Sequence, residues 1–325
     1  MTARYSEDEL IDRLFRPLAG PHAAAFFDDD AAFLPPAGHV VTVDALVAGV
    51  HFFAEDPPGA IAKKALRVNL SDLAAKGATP SAFLLTLCLP EGWTNAWLEA
   101  FAEGLREDAA HYGVALIGGD TVRTPGPLTL SITAFGRTDA AYPRRSGARP
   151  GDAIYVSGTI GDAALGLAVR QDPALAAALS PQARDFLLER YLLPRPRVAL
   201  APIVRRFASA AMDVSDGLIG DLSRIMRASG VGAEARLEDV PLSSAAQEAV
   251  ALRPKLLETA LTGGDDYEIL CCLEDESGPA FEAAARAASE TVTQIGSVGS
   301  PDSSVRFLTA EGGERCFARP SFTHY

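Results

Sequence analysis

The chain has 325 residues, 48% hydrophobic and 22% charged, the profile of a globular protein with a substantial core and not of a disordered one. That length holds one large domain or two ordinary ones, and two are expected. A formal net charge of -13 argues against nucleic acid and anionic membranes, both of which are bound through basic surfaces, and favours a small substrate or a protein partner.

The first segment, MTARYSEDELIDRLF, is acidic and amphipathic, without the basic stretch and apolar core of a signal peptide. No later run reaches the ~18 apolar residues of a membrane span, so a cytoplasmic location is expected. A helix is expected over 6–18, with Ser6 as N-cap and Glu9 at the capping-box position. FFDDDAAFLPP (26–36) then sets Asp28, Asp29 and Asp30 side by side. A solvated turn or a bound cation would hold them, since neighbouring like charges at ~4 Å repel by roughly 1 kcal/mol in water and about 4 near a protein surface.

HVVTVDALV (39–47) reads as a valine-rich strand, and residues 59–80 as a helix closed by Gly77 and Pro80. SAFLLTLCLP is a strand, TNAWLEAFAEGLREDAAHYG an amphipathic helix begun by Thr94 or Asn95, VALIGGD a strand ending in a carboxylate, and PLTLSITAFG another strand. The aperiodic segment 138–152, with its proline, glycines and charges, marks the domain boundary. Beyond it, AIYVSGTIGDAALGLAV gives strand, glycine turn and helix. SAAMDVSDGLIGDLSRIMRASG gives a strand to Met212, a turn with Asp213 and Asp216, and a helix ended by Gly230. LLETALTGGDDYEILCCL reads as a glycine turn and a strand. Both halves mix strands and helices, so the fold class is α/β or α+β with two layers in each half. Cys88, Cys271, Cys272 and Cys316 form no CxxC pair and read as core thiols.

Five separated places share one pattern, a strand or buried helix delivering aspartate at its end: Asp29 with Asp30, Asp44, Asp72, Asp120, and Asp213 with Asp216. Each alone suits a turn or a cap. Together, oxygen ligands without histidine or cysteine fit magnesium, which takes one or two carboxylates and fills its other positions with water and phosphate. Asp72 lies on a helix apolar nearly all round, in one stripe with Asn69 and Lys76. A buried aspartate needs a partner, either an ion pair with Lys76 or a shared metal.

Glycine beside carboxylate recurs in GGD (118–120), SGTIGD (157–162) and TGGDD (262–266), and a turn feeding a helix offers amides to an anion. Arg144, Arg145 and Arg149 either grip phosphate or belong to a solvated interdomain loop. There is no GxxxxGK[ST], HRD or DFG, which excludes a P-loop and a protein-kinase site. GVGAEA (230–235) follows a helix rather than a strand and is no dinucleotide fingerprint. His51, beside two phenylalanines, reads as a half-buried histidine or a ligand contact.

The motifs DDDAAFL, VDALVAGVHF, VNLSDLAAKGATP, LIGGDT, RSGARPGD, MDVSDGLIGDL and LTGGDDYEIL stand in the order and spacing of the thiamine-monophosphate kinases, which this sequence resembles from about residue 5 to its end. The wider superfamily of aminoimidazole ribonucleotide synthetase shares the aspartate clusters and GGD, whereas GVHF and GGDDYE are similar to the kinase branch in particular. The resemblance implies a homodimer whose N-terminal sheets join into a barrel, with a C-terminal α/β domain against it and ATP in the cleft. It divides the chain into 1–137, for metal, ATP and dimerisation, and 138–325, completing the nucleotide and substrate cleft. It implies magnesium at Asp30, Thr42, Asp44, Asp72, Asp120, Asp213 and Asp216, several ions per site, and leaves a need for potassium open. Gly119, Asp120, Arg145 and Ser215 would meet the nucleotide, and His51, Asp265 and Phe322 the thiamine monophosphate. Asp120, Arg145 and Asp213 would be catalytic in transfer of the ATP γ-phosphoryl group to the acceptor.

Three positions depart from the family pattern. Asp28 stands where glycine is usual, Val43 replaces a hydroxyl residue, and Ser321 precedes the tail aromatic where glycine is common. Two other readings are weighed: a selenophosphate or aminoimidazole ribonucleotide type of synthetase, and a non-catalytic nucleotide-binding module. The first would show a reactive N-terminal cysteine in its selenophosphate form, yet the first cysteine here is Cys88.

Overall fold

The computed structural model describes residues 32–34, 38–139 and 142–322. The helix expected over 6–18 and the Asp28–Asp30 cluster lie outside the described residues.

The first sheet contains β1 (Ala32–Leu34), β2 (His39–Val47), β3 (Thr79–Leu89), β4 (Ala115–Arg123) and β5 (Thr129–Arg137), in the order β1-β2-β5-β3-β4. Its pairs are antiparallel except β3 with β4. Alternation decides its two faces. Val40, Thr42 and Leu46 of β2 and Leu130, Ile132 and Ala134 of β5 are buried beneath α1 (Pro58–Ala75) and α2 (Asn95–Tyr112). On the other side Val43 is 48% exposed, and β4 is exposed along its whole length.

Proline at its first position starts α1, which ends where Gly77 turns left-handed. The expected extension to Pro80 fails, because Thr79 and Pro80 already pair with β5 and a register shift beside Pro80 accommodates the missing N–H. As its pattern predicts, α1 is buried on nearly every side. Its Ile61, Leu66 and Leu70 pack on the first sheet, while Ala74 and Ala75 belong to the core of the second.

The second sheet has the order β11-β8-β10-β6-β9-β7, formed by β6 (Asp152–Ser157), β7 (Ala208–Asp213), β8 (Ala233–Arg236), β9 (Ile269–Glu274), β10 (Val292–Val298) and β11 (Val305–Leu308). Around it lie α3 (Asp162–Gln171), α4 (Pro173–Ala178), α5 (Pro181–Leu192), α6 (Ala201–Phe207), α7 (Leu218–Ser229), α8 (Ser244–Leu252), α9 (Leu256–Thr262) and α10 (Gly278–Ala287). The two-domain α/β expectation is met. The run LLETAL, read as part of a turn, is α9, too short for a helical period to stand out. The reading of four core thiols holds for Cys271 and Cys272, whereas Cys88 is half-buried and Cys316 exposed. Among the described residues no helix is long and apolar enough to cross a membrane.

Helices α1 and α2 meet backbone to backbone, since a Cβ on Gly104 would lie 2.4 Å from Gly59 Cα. Gly104→Ala is expected to force the helices apart at a cost of about 1–3 kcal/mol. A denaturant melt with an unchanged midpoint would contradict this contact.

Candidate active site

The buried polar side chains of α1 reach both sheets. On the first-sheet side, Thr42 Oγ1 donates to Asp72 Oδ2 at 2.5 Å, and Asn69 Oδ1 accepts the Asp44 amide at 3.1 Å. On the other side, Ser71 Oγ donates to the Tyr267 carbonyl at 3.4 Å and Lys76 Nζ to the Ala211 carbonyl at 2.6 Å, two residues before Asp213. Near the start of the helix, Lys64 Nζ meets Asp265 Oδ2 at 2.5 Å and the Tyr191 carbonyl at 3.0 Å. Thr42 thus gives Asp72 a hydroxyl partner that the sequence pattern did not reveal, and Lys76 ties the end of the helix to β7.

Two loops interlock below α1. The amides of Asp265 and Tyr267 donate to the carbonyls of Ser215 and Val214 at 2.7 and 2.9 Å, and the Val214 amide donates to the Glu268 carbonyl at 2.8 Å. Asp265 and Tyr267 hold left-handed φ of 68° and 55°, conformations that non-glycine residues keep only when their surroundings impose them. Alternate residues of the loop face opposite ways. Asp266 is fully buried and accepts the Gly161 amide at 2.8 Å, while Glu268 receives two bonds from Arg197, at 2.5 and 2.6 Å, and one from Ser157 Oγ at 2.6 Å. Burial pushes the Tyr267 phenol far up, the nearby charges of Asp265, Asp44 and Asp213 add to this, and the phenol is hydrogen-bonded to Asp265. Asp266 also fills the anion position at the N-terminus of α3, where SGTIGD had been read as a phosphate turn.

The turn after β7 continues this site. Asp216 pairs with Arg224, its amide donates to Asp221 Oδ2 at 3.0 Å, and burial, with the charge of Asp216, pushes Asp221 up to about 7. Arg145 lies close enough to influence Asp221 and Arg224, its loop held by Ser229 Oγ on its own carbonyl at 2.9 Å. Phe322, 46% exposed, joins the same turn through its amide on the Asp216 carbonyl at 3.0 Å. His51 is half-buried at the end of β2, and its Nδ1 accepts the Val47 amide at 3.0 Å.

Asp120 stands apart. Register carries Asp44 through Ile132 and Leu85 to Gly119, and carries Asp120 back through Thr86 and Ser131 to Ala45. Asp120 therefore faces away from Asp44, across three interstrand gaps of ~4.8 Å. A Cβ on Gly119 would lie 1.9 Å from the Leu85 carbonyl oxygen, so β4 approaches β3 there only because that residue is glycine. Among the described residues no group of three acidic, histidine or cysteine side chains is gathered to hold a metal unaided. The oxygen donors present still fit magnesium, which binds one or two carboxylates and completes its shell with phosphate and water.

Sequence reasoning missed Lys64, Tyr267, Glu268 and Arg197. Lys64 alone left a signal, as a charge on a helix apolar nearly all round.

Family profiles match both halves of the chain: the AIR synthase related protein N-terminal domain over residues 28–138 and the C-terminal domain over 149–308. The chain is 45% identical over 299 residues to the thiamine-monophosphate kinase of Caulobacter vibrioides, covering 90% of this chain and 83% of that protein. A solved structure of AaThiL complexed with AMPPCP and TMP superimposes with a TM-score of 0.85 at 29% identity, over 100% of both chains. The thiamine-monophosphate kinase of Stenotrophomonas maltophilia K279a gives a TM-score of 0.77 at 41% identity, covering 94% of this chain and 96% of that one. With motifs, both domain profiles and whole-chain likeness in agreement, this chain belongs to the thiamine-monophosphate kinases of the AIR synthase-related superfamily.

Proposed function

We propose that this protein transfers the γ-phosphoryl group of ATP directly to thiamine monophosphate, yielding thiamine diphosphate and ADP. The observation that supports it best is the buried helix α1, which holds Asp72 against Thr42 near one end and Asp265 through Lys64 near the other. The relative AaThiL was crystallised with AMPPCP and TMP together, the donor analogue and acceptor that such a site requires.

Phosphoryl transfer between two anions depends mostly on alignment and charge neutralisation. In this reading Thr42, Asp44, Asp72, Asp120, Asp213 and Asp216, with Asp30, hold magnesium. Magnesium held by these residues would supply charge neutralisation to the phosphates. Gly119 and Ser215 present backbone to the nucleotide, and Arg145 supplies a guanidinium to the transferring group. Asp265, His51 and Phe322 orient the acceptor. Phosphate oxygens of the acceptor are nucleophilic at neutral pH, so no side chain has to remove a proton. Residues 1–137 form the metal and dimerisation domain, and 138–325 close the cleft.

We further infer a homodimer. Leu116, Ile117 and Val122 of β4 are 53%, 60% and 42% exposed, an apolar edge strand that invites pairing. Asp120 lies on the same strand, turned away from its own chain's Asp44, so a second copy joined along β4 brings it to a carboxylate set.

Purified protein given ATP, magnesium and thiamine monophosphate is expected to form thiamine diphosphate; turnover of an aminoimidazole precursor instead would favour a synthetase. Asp120→Asn should lower kcat by about a hundredfold or more while the melting temperature stays put. Ile117→Glu should convert dimer to monomer in sedimentation and abolish turnover, and a monomeric wild type would refute the shared interface.

A further inference from the structure

Lys64 is a buried cation that none of the roles above requires. Its side chain is 2% exposed, near the start of a helix whose neighbouring buried residues Ile61, Ala62, Ala65 and Leu66 are apolar. Its ammonium meets Asp265 Oδ2 at 2.5 Å and the Tyr191 carbonyl at 3.0 Å, and lies 4.2 Å from the centre of the Tyr191 ring. Asp265 is 27% exposed, so its carboxylate is gripped from behind and open in front. Taking a lysine out of water is costly, and a buried ion pair stabilises a fold little better than apolar residues of similar size. A pair with one member reaching the cleft is better explained by what it imposes on that member.

It imposes two things. The first is direction. The Asp265 backbone is left-handed and tied to the Ser215 carbonyl, Asp266 and Glu268 anchor the next residues inward, and Lys64, with the Tyr267 phenol bonded to the same carboxylate, fixes the remaining freedom, the carboxylate rotamer. The second is charge. Asp265 shares the neighbourhood of Tyr267 with Asp44 and Asp213, where a carboxylate would by default compete for divalent cations. The Lys64 ammonium on one oxygen offsets that attraction, and beside its bond from the Tyr267 phenol the carboxylate keeps lone pairs for a further hydrogen-bond donor.

We propose that Lys64 is the positioning residue that dedicates Asp265 to the acceptor, presenting a fixed carboxylate oxygen to an N–H group of the substrate's heterocycle and withholding it from magnesium. The proposal rests on the assignment of Asp265 to the thiamine side of the site. Because Lys64 and Asp72 share one helix, about 12 Å apart at 1.5 Å per residue, acceptor and metal positions are also held at one spacing.

Steady-state kinetics and melting curves of Lys64→Met, Asp265→Asn and the double variant test it. In Lys64→Met the KM for thiamine monophosphate should rise on the order of 10- to 100-fold, the cost of breaking a buried charge pair, with the KM for ATP nearly unchanged. In the Asp265→Asn background the lysine substitution should have almost no further effect on that KM. Lys64→Gln, which keeps a hydrogen bond to Asp265, should recover part of the loss. Equal losses toward ATP and thiamine monophosphate, or additive effects in the double variant, would overturn the role and leave Lys64 a structural pin. If Lys64→Met does not fold, Lys64→Gln is decisive by the same KM comparison. A wild type that turns over thiamine monophosphate beside a Lys64 variant of unchanged KM would refute this inference alone. A wild type inactive on thiamine monophosphate would instead refute the proposed function.

Discussion

The structure depends on burying a helix that carries charge. A helix between two sheets is ordinarily apolar all round, yet α1 takes Lys64, Asn69, Ser71, Asp72 and Lys76 into the interior. Each is matched by a group on another element: Asp265 and a carbonyl for Lys64, the Asp44 amide for Asn69, the Tyr267 carbonyl for Ser71, Thr42 for Asp72 and the Ala211 carbonyl for Lys76. An unmatched buried polar group costs on the order of 1–3 kcal/mol, and an unmatched charge more, so the set tolerates few arrangements of the two sheets around the helix. Polar burial here specifies geometry that apolar packing alone would leave loose.

The carboxylates are then distributed by backbone direction. Asp265 is left part-exposed and Tyr267 packs against the core of the first sheet, while their neighbours Asp266 and Glu268 face inward, each satisfied by its own donors. Asp213 ends β7, the edge strand of the second sheet, and Asp216 is held back by Arg224. Much of the negative charge, within a chain whose formal charge is -13, is thereby paired in place: Asp216 and Asp221 with Arg224, Glu268 with Arg190 and Arg197, and Asp265 with Lys64.

Much of this was legible in the residues themselves. The strand 39–47, the helix from Thr94 and the strand–turn–helix around Asp213 follow from alternation, a hydroxyl cap and a glycine stop, all local signals. Signals that depend on distant partners were not legible. Pro80 reads as a helix stop until the bulge of β3 is seen, and α9 is shorter than the period that would reveal it. In GGDDYE nothing distinguishes Asp265 from Asp266, since only Gly161 and Ser215, remote in the chain, decide which one turns outward. The second lysine of KKAL stands out only as a charge on an apolar helix, because its partners Tyr191 and Asp265 are remote in the chain. The separation of Asp120 from Asp44 likewise needs strand order, which no single segment encodes.

The interlocked loop at 264–268 behaves as a two-sided ratchet. Because the residues alternate one by one between two sides, removing or adding a single residue would exchange the two sets, sending Asp265 into the arginine-lined interior and turning Asp266 and Glu268 away from their donors. Its length is therefore quantised in steps of two, and even a two-residue change would break the mutual hydrogen bonds with residues 214 and 215. What this loop presents outward can therefore change without loss of those bonds only by side-chain replacement at fixed length.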